Sequence, residues 1–135
     1  MNKTLIFTAT YNESKNISKL LNKIVNLKQK IDLLIVDDNS PDGTAKIVEK
    51  FSKKYKNIFL VKRNGKLGLN TAHIYGYSYA LKNKYKKLIT MDADLSHEPK
   101  EIPKIIKLLE KHEFVIGSRY ARGGKNNMKG FRLLL

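Results

Sequence analysis

Two aspartates separated by one alanine, Asp92 and Asp94, end the apolar run that begins at Leu88. Such a pair could cap the following helix or hold a cation, because hard divalent cations bind carboxylate oxygens and share them with phosphate groups. A lone pair of aspartates is weak support for a metal, but acids that end a buried strand are poorly explained as solvated turn residues. The pattern therefore favours a metal site at this pair. Ser96 and Pro99 suit the start of the next helix.

Four further polar clusters also follow apolar runs: "TYNE", "DDNSPDGT", "RNGKLGLN" and "GSRYARGG". In the second cluster, residues 41–44 suit a turn and a helix cap, with Asp42 or Thr44 as the capping residue, which leaves two acids unexplained. Either Asp37 or Asp38 is predicted to accept hydrogen bonds from a ligand. In the first cluster, two residues are either ligand contacts or merely loop and capping residues; they are Tyr11 and Glu13.

The remaining polar residues give weaker indications. Arg119 could bind phosphate through its planar guanidinium group, whereas Arg122 suits solvent equally well. The three histidines have no metal-ligand spacing, although His97 adjoins the aspartate pair. Neither a dinucleotide-binding fingerprint nor a Walker loop is present, so a phosphorylated ligand would need another source of positive charge.

The elements that must position these clusters alternate between apolar strands and segments of helical period. Strands are predicted at 4–10, 32–38, 57–62, 87–93 and 113–119. Helices are predicted at about 17–27, at 45–51, at 71–81 and from Pro99 to about 109, with Asn12 or Ser14 as the first N-cap. Continuous apolar strands indicate a parallel sheet covered on both faces. The five clusters then share the carboxyl edge of the sheet, where ligands bind.

The composition of the 135 residues indicates one globular domain, with 41% hydrophobic residues and no cysteine for disulfides or thiolate metal sites. No apolar run reaches the roughly 18 residues of a membrane span, and the opening stretch does not suit a signal peptide. The net charge of +15 fits either a lysine-rich solvated surface or an anion-binding field, chiefly for an anionic membrane. The last dozen residues lose the pattern, so the chain is expected to be cut rather than finished.

Taken in order, "TYNE", "VDDNSPDGT", "KLGLNTAH", "MDADLSHEP" and "GSRYARGG" resemble the family 2 glycosyltransferases, and within them the dolichyl-phosphate (polyprenyl-phosphate) mannosyltransferases. The resemblance covers essentially the whole chain. It implies the GT-A fold, a Rossmann-like α/β architecture with an open, mostly parallel sheet and helices on both faces. It also implies a single catalytic domain over residues 1–135, whose acceptor-side part is missing or incomplete.

The same resemblance implies a reaction. Mannose would pass from GDP-mannose to a polyprenyl phosphate with inversion at the sugar carbon, with Mg²⁺ or Mn²⁺ as cofactor. The enzyme would be cytoplasmic and peripheral at the cytoplasmic face of a membrane. Because the acceptor phosphate is already an anion, no general base is needed, and the enzyme must mainly stabilise the departing diphosphate.

Residue roles follow from the resemblance position by position. Nucleoside contacts are implied for Ala9, Tyr11, Glu13, Val36 and Asp38. Contacts with the metal and the diphosphate are implied for Asp92, the Ala93 backbone and Asp94. Cationic contacts with phosphate are implied for Arg119 and Lys66, and a substrate contact is implied for Arg132, where the family has an arginine. Asp94 and Arg119 would be the catalytic pair, and Ala9 departs from the proline that is usual in the family.

Three alternatives remain open from the sequence. The donor could be UDP-glucose or another nucleotide sugar, with the same class of lipid acceptor. The chain could bind a nucleotide sugar without turnover. A nucleic-acid-binding module is favoured by charge alone, and it would require basic residues interleaved with aromatics on one face.

Overall fold

The computed structural model describes residues 3–118 of the chain. Its strands are β1 (Thr4–Thr10), β2 (Ile31–Asp37), β3 (Ile58–Lys62) and β4 (Lys87–Thr90). Its helices are α1 (Ile17–Val25), α2 (Thr44–Lys54), α3 (Leu69–Lys82) and α4 (Ile102–Leu108), the last preceded by a 3₁₀ turn at Pro99–Glu101. The four strands form one parallel sheet in the order β3-β2-β1-β4.

Helices cover both faces of this sheet because successive side chains along each strand point to opposite sides. On one face, Ile6 and Ile35 pack with the apolar stripe of α1 and with residues of α2 and α4. On the other face, Phe7 and Val36 pack against α3. The predicted α/β fold, with a parallel sheet between two helical layers, is confirmed.

Helix α3 approaches the sheet closely through its small residues. Ala72, Gly76 and Ala80 recur every four residues and form the buried side of the helix. A Cβ atom added at Gly76 would lie 2.6 Å from the ring of Phe7, so only glycine leaves room for that ring. Past the end of the helix, the hydroxyl of Tyr85 donates a hydrogen bond of 2.7 Å to Asp32.

Two predictions about the elements are wrong. No strand forms over 113–118, the described part of the predicted fifth strand, where Phe114 and Ile116 are 77% and 73% exposed. A strand needs another strand to pair with and a covered face. The sheet of the described residues has four strands and does not include this segment, in which only Val115 is partly buried. The proposed N-caps Asn12 and Ser14 lie too early, because a left-handed residue at Asn12 and a turn over 13–16 delay the start of α1.

The structure also bears on membrane insertion. Within residues 3–118, no helix combines the length and the apolar character needed to cross a bilayer.

Candidate functional site

The ends of the four strands bring four of the five polar clusters to one edge of the sheet, and the fifth cluster lies mostly outside the described residues. Hydrogen bonds continue the ladder just past the strand ends, from the Asp38 N–H to the Thr10 carbonyl (3.0 Å) and from the Arg63 N–H to the Asp37 carbonyl (2.8 Å). On the other side of β1, the Met91 N–H donates to the Phe7 carbonyl at 3.1 Å. The loops that follow β1, β2, β3 and β4 therefore start side by side.

The aspartate pair leaves β4 with both carboxylates on the exposed side. Met91 and Ala93 are buried, with 6% and 3% of their surface exposed, whereas Asp92 and Asp94 are exposed. This alternation is that of an extended chain, in which residues two apart point the same way. The chain then turns at Leu95, whose φ of +65° lies in the left-handed region. The two carboxylates thus face solvent together at the carboxyl edge.

Neighbouring residues fix each aspartate. The Ser96 hydroxyl and the Ser96 N–H, the latter 2.9 Å from Asp94 Oδ1, lower the pKa of Asp94, so this carboxyl is ionised at neutral pH. The Asp92 N–H donates to His97 Nδ1 at 3.1 Å, and His97 Nε2 lies 3.9 Å from Asp92 Oδ2. His97, which the sequence left between a site role and none, therefore contacts the pair directly.

These residues fit a divalent cation that arrives with a phosphate ligand. Residues 3–118 hold no group of three or more histidine, cysteine or acidic side chains that could bind a metal by themselves. Mg²⁺ typically takes one or two protein carboxylates and completes its shell with substrate phosphates and water, and Mn²⁺ prefers similar oxygen ligands. The two exposed carboxylates of Asp92 and Asp94, the latter with a lowered pKa, meet that requirement. The assignment of the metal to Asp92 and Asp94 stays a prediction.

The acids after β2 are engaged within the protein. Asp37 is buried and accepts hydrogen bonds from Thr10 Oγ1 at 2.7 Å and from Ser40 Oγ at 2.6 Å. Asp38 is 6% exposed and pairs with Arg63, while its Oδ2 accepts the N–H groups of residues 67 and 68, both at 2.9 Å. Asp38 thus holds the glycine-containing loop after β3. Its predicted contact with a nucleoside stays a prediction.

Arg63 is a site residue for which the sequence indicated no role. Its guanidinium pairs with Asp38 and also donates to Thr71 Oγ1 at 2.7 Å and to the Gly68 carbonyl at 2.9 Å. The sequence could have indicated a role for Arg63, because it is one of four arginines and directly follows a strand at the carboxyl edge. Its side chain is only 9% exposed, so it joins the loops structurally rather than facing solvent.

Of the remaining predicted contact residues that the structure describes, three lie in the loops and two lie within strands. Lys66 Nζ lies 4.2 Å from the centre of the Tyr11 ring, a cation–π contact that brings the first and third loops together. The Glu13 carboxylate accepts a hydrogen bond of 3.0 Å from the Asn16 side chain. Val36 is fully buried, and its register partner Ala9 packs beside the α3-facing core.

Val36 pairs with β1 on one side and with β3 on the other, so its predicted nucleoside contact stays a prediction, as does that of Ala9. Arg119 and Arg132 lie outside the described residues.

Comparison with known proteins gives the family. The model of "Glycosyl transferase family 2" matches residues 5–133. The chain belongs to this glycosyltransferase family. The resemblance to polyprenyl-phosphate mannosyltransferases that the sequence motifs indicated is also confirmed by the curated relatives.

Three of these relatives are similar over most of the chain. The undecaprenyl-phosphate mannosyltransferase of Micrococcus luteus is 34% identical over 91% of this chain and 51% of its own length. The dolichol-phosphate mannosyltransferase of Pyrococcus furiosus is 36% identical over 98% of this chain and 38% of its own. The Saccharomyces cerevisiae enzyme of the same name is 34% identical over 87% and 45%. This glycosyltransferase chain thus spans about half or less of the relatives it matches.

Solved structures share the fold. The mannosyltransferase PcManGT from Pyrobaculum calidifontis, in complex with GDP-Man and Mn²⁺, superposes with a TM-score of 0.55 at 24% identity, covering 67% of this chain and 27% of its own. S. aureus TarS 1-349 superposes with a TM-score of 0.66 at 21% identity, covering 89% and 40%. At these identities the likeness supports the architecture of this family 2 glycosyltransferase.

Proposed function

We propose that this chain carries the donor-binding part of an inverting glycosyltransferase that transfers mannose from GDP-mannose to a polyprenyl phosphate. The observation that carries the proposal is the exposed pair Asp92 and Asp94, which shares one sheet edge with the Tyr11 loop and the loop that Asp38 holds. Relatives named polyprenol monophosphomannose synthase and dolichol-phosphate mannosyltransferase support the acceptor class. The similar structure described with GDP-Man and Mn²⁺ supports the donor and the cation.

In this proposal, Asp92 and Asp94 hold Mg²⁺ or Mn²⁺ against the diphosphate of the donor. When bound, the cation supplies charge stabilisation to the departing diphosphate. The lowered pKa of Asp94, caused by hydrogen bonds from Ser96, suits a ligand and does not suit a general acid, which must hold a proton at working pH. The acceptor phosphate is itself an anionic nucleophile, so these residues need not remove a proton.

The other residues bind the two substrates. Tyr11, 37% exposed at the edge, offers a ring face to the nucleoside, and Lys66 beside it offers a positive charge. Further nucleoside contacts come from the backbone of Ala9 and from Glu13, Val36 and Asp38. The Ala93 backbone contacts the diphosphate. Arg119, as the second catalytic residue, would bind phosphate near the acceptor, and Arg132 would contact the substrate.

The location follows from the acceptor. A polyprenyl phosphate is anchored in a bilayer, so the protein would work peripherally at the cytoplasmic face of a membrane. The net charge of +15 supports attraction to anionic lipid. The part that completes the acceptor side would lie in the length by which the relatives exceed this chain.

A titration of GDP-mannose with and without Mn²⁺ tests the proposal. Asp94→Asn should weaken Mn²⁺-dependent binding by about ten- to a hundredfold, because it replaces a charged carboxylate next to the cation by a neutral amide. Glu49→Gln is the matched control, since it neutralises an exposed carboxylate that pairs with Lys62 and is not among the predicted site residues. Binding that needs no metal, or an Asp94→Asn variant that binds as tightly as the control, would contradict the metal assignment.

Two further measurements separate the alternatives. Tighter binding of UDP-glucose than of GDP-mannose would show that the donor is UDP-glucose and not GDP-mannose. Transfer of labelled mannose to a short polyprenyl phosphate distinguishes an active transferase from a chain that binds the nucleotide sugar without turnover.

A further inference from the structure

The loop after β1 is held by side chains from the loop after β2. The backbone N–H groups of residues 12, 13 and 14 each donate to a different side chain some thirty residues later in the sequence. The acceptors, in that order, are Ser40 Oγ at 3.0 Å, Thr44 Oγ1 at 2.9 Å and Asp42 Oδ2 at 2.9 Å. Three successive amides thus find all their acceptors in the segment "SPDGT".

Hydrogen bonds within residues 37–44 fix these acceptor side chains and leave their oxygen lone pairs free to accept from the loop amides. The Ser40 hydroxyl donates its one proton to Asp37 Oδ1 at 2.6 Å, and the Thr44 hydroxyl donates to Asp42 Oδ1 at 2.6 Å. A hydroxyl that has donated its proton can only accept elsewhere. Burial acts to raise the pKa of Asp42, but hydrogen bonds from Thr44 and Ser14 outweigh it and lower the pKa, so the carboxylate stays ionised.

The held segment needs such contacts because it lacks regular structure. No helix or strand covers residues 11–16, and Asn12 adopts a left-handed φ of +57°. A short loop with a left-handed residue samples many conformations unless its amides are bound. This loop carries Tyr11 and Glu13, two of the predicted nucleoside contacts.

We infer that Ser40, Asp42 and Thr44 are positioning residues that hold the loop of residues 11–14 in its nucleotide-binding form. This inference rests on the proposed nucleotide-sugar site. The three side chains act through backbone amides, so their effect is on the fraction of molecules whose loop is ready to bind. Apparent affinity falls in proportion to that fraction.

Thr44→Val is the decisive variant, because it keeps the shape of a buried side chain and removes the acceptor for the Glu13 amide. The variant also removes the hydrogen bond that the Thr44 hydroxyl donates to Asp42. Losing both contacts should weaken GDP-mannose binding in the presence of Mn²⁺ by about tenfold or more. Thr44→Ser, which keeps the hydroxyl, should restore the affinity. Ser40→Ala, at a more exposed position, is a second variant that removes the acceptor for the Asn12 amide. Ser52→Ala is the control, since it removes a hydroxyl of α2 whose hydrogen bond within residues 3–118 is to Glu49 of the same helix.

Amide hydrogen exchange of the ligand-free variants provides a readout that does not depend on the ligand. In Thr44→Val the Glu13 amide should exchange about tenfold faster, while amides in the middle of β1 keep their protection. At saturating GDP-mannose, the rate of sugar transfer or hydrolysis should be unchanged, so the effect lies in KM and not in kcat.

Four outcomes overturn the inference: unchanged exchange at residues 12–14, unchanged affinity despite faster exchange, failure of Thr44→Ser to restore binding, or an equal loss in Ser52→Ala. A wild-type chain that binds no GDP-mannose overturns the proposed function instead. In that case, the exchange rates still decide whether these side chains hold the loop.

Discussion

Removing the charge of Arg63 should destabilise the protein far more than removing the charge of its neighbour Lys62. Both residues form an ion pair with an acid, but the environments differ. The side chains of the Arg63–Asp38 pair are 9% and 8% exposed, whereas those of the Lys62–Glu49 pair are 58% and 40% exposed. Adjacent positions in one chain therefore offer a buried and an exposed pair for direct comparison.

The expected magnitude follows from what each substitution leaves behind. Arg63→Met leaves a buried carboxylate without its cation, a change that costs about 3–5 kcal/mol in general. Asp38 keeps the amide donors of residues 67 and 68 at 2.9 Å, which compensate part of its charge. We therefore expect a loss near the low end, about 3 kcal/mol in the free energy of unfolding. Lys62→Met should produce no measurable change, because solvent already screens that pair.

Urea denaturation followed by far-UV circular dichroism measures both variants under the same conditions. The double variant Asp38→Asn with Arg63→Met should be more stable than Arg63→Met alone, because it leaves no unpaired charge in the interior. Equal losses in Arg63→Met and Lys62→Met would refute the reasoning, since burial would then not determine the worth of the pair. A double variant no better than the single one would show that the lost contacts with Thr71 and Gly68, and not the orphaned charge, carry the effect.

Two further predictions concern the α3 face of the sheet. Gly76→Ala should lower the unfolding free energy by about 1–3 kcal/mol, because the added methyl group would lie 2.6 Å from the Phe7 ring. Ser78→Ala, on the exposed side of the helix, is the control. Equal stability of the two variants would contradict the close packing. Burial and the hydrogen bond to Asp32 raise the pKa of Tyr85, so its contribution to stability is fully present below about pH 10 and is lost as the pH rises further. Unfolding free energies from neutral to alkaline pH should therefore fall more steeply for the wild type than for Tyr85→Phe, and parallel curves would refute this.

Local sequence was sufficient for the fold class and for the existence of the first four strands, although β4 ends at Thr90 and not at residue 93 as predicted. The run over Thr4–Thr10 is apolar enough to be buried on both faces, and the strand forms with those bounds. Similar runs predicted β2 and β3 to within one residue at each end. The predicted fifth strand failed because an apolar segment becomes a strand only when another strand pairs with it, and such pairing is decided by distant residues.

The candidate site divides in the same way. Sequence patterns correctly placed four of the five polar clusters at strand ends, because alternating strands and helices force parallel strands whose carboxyl ends share an edge. The fifth cluster follows the predicted strand that does not form over 113–118. The sequence could not distinguish the acids from one another. Only the tertiary structure showed that Asp38 is paired with Arg63 in the interior while Asp92 and Asp94 face solvent.

The strand pattern and the partners of each acid differ in how far along the chain their determining residues lie. Strand and helix patterns depend on neighbours within a few residues, so a single sequence reveals them. The partner of a carboxylate or of a loop amide lies tens of residues away, as for the contact between the Ser14 amide and Asp42, and only folding brings the two groups together. Residue types and order determined the family and the edge of the sheet, while packing decided which acids hold the loops and which face the solvent.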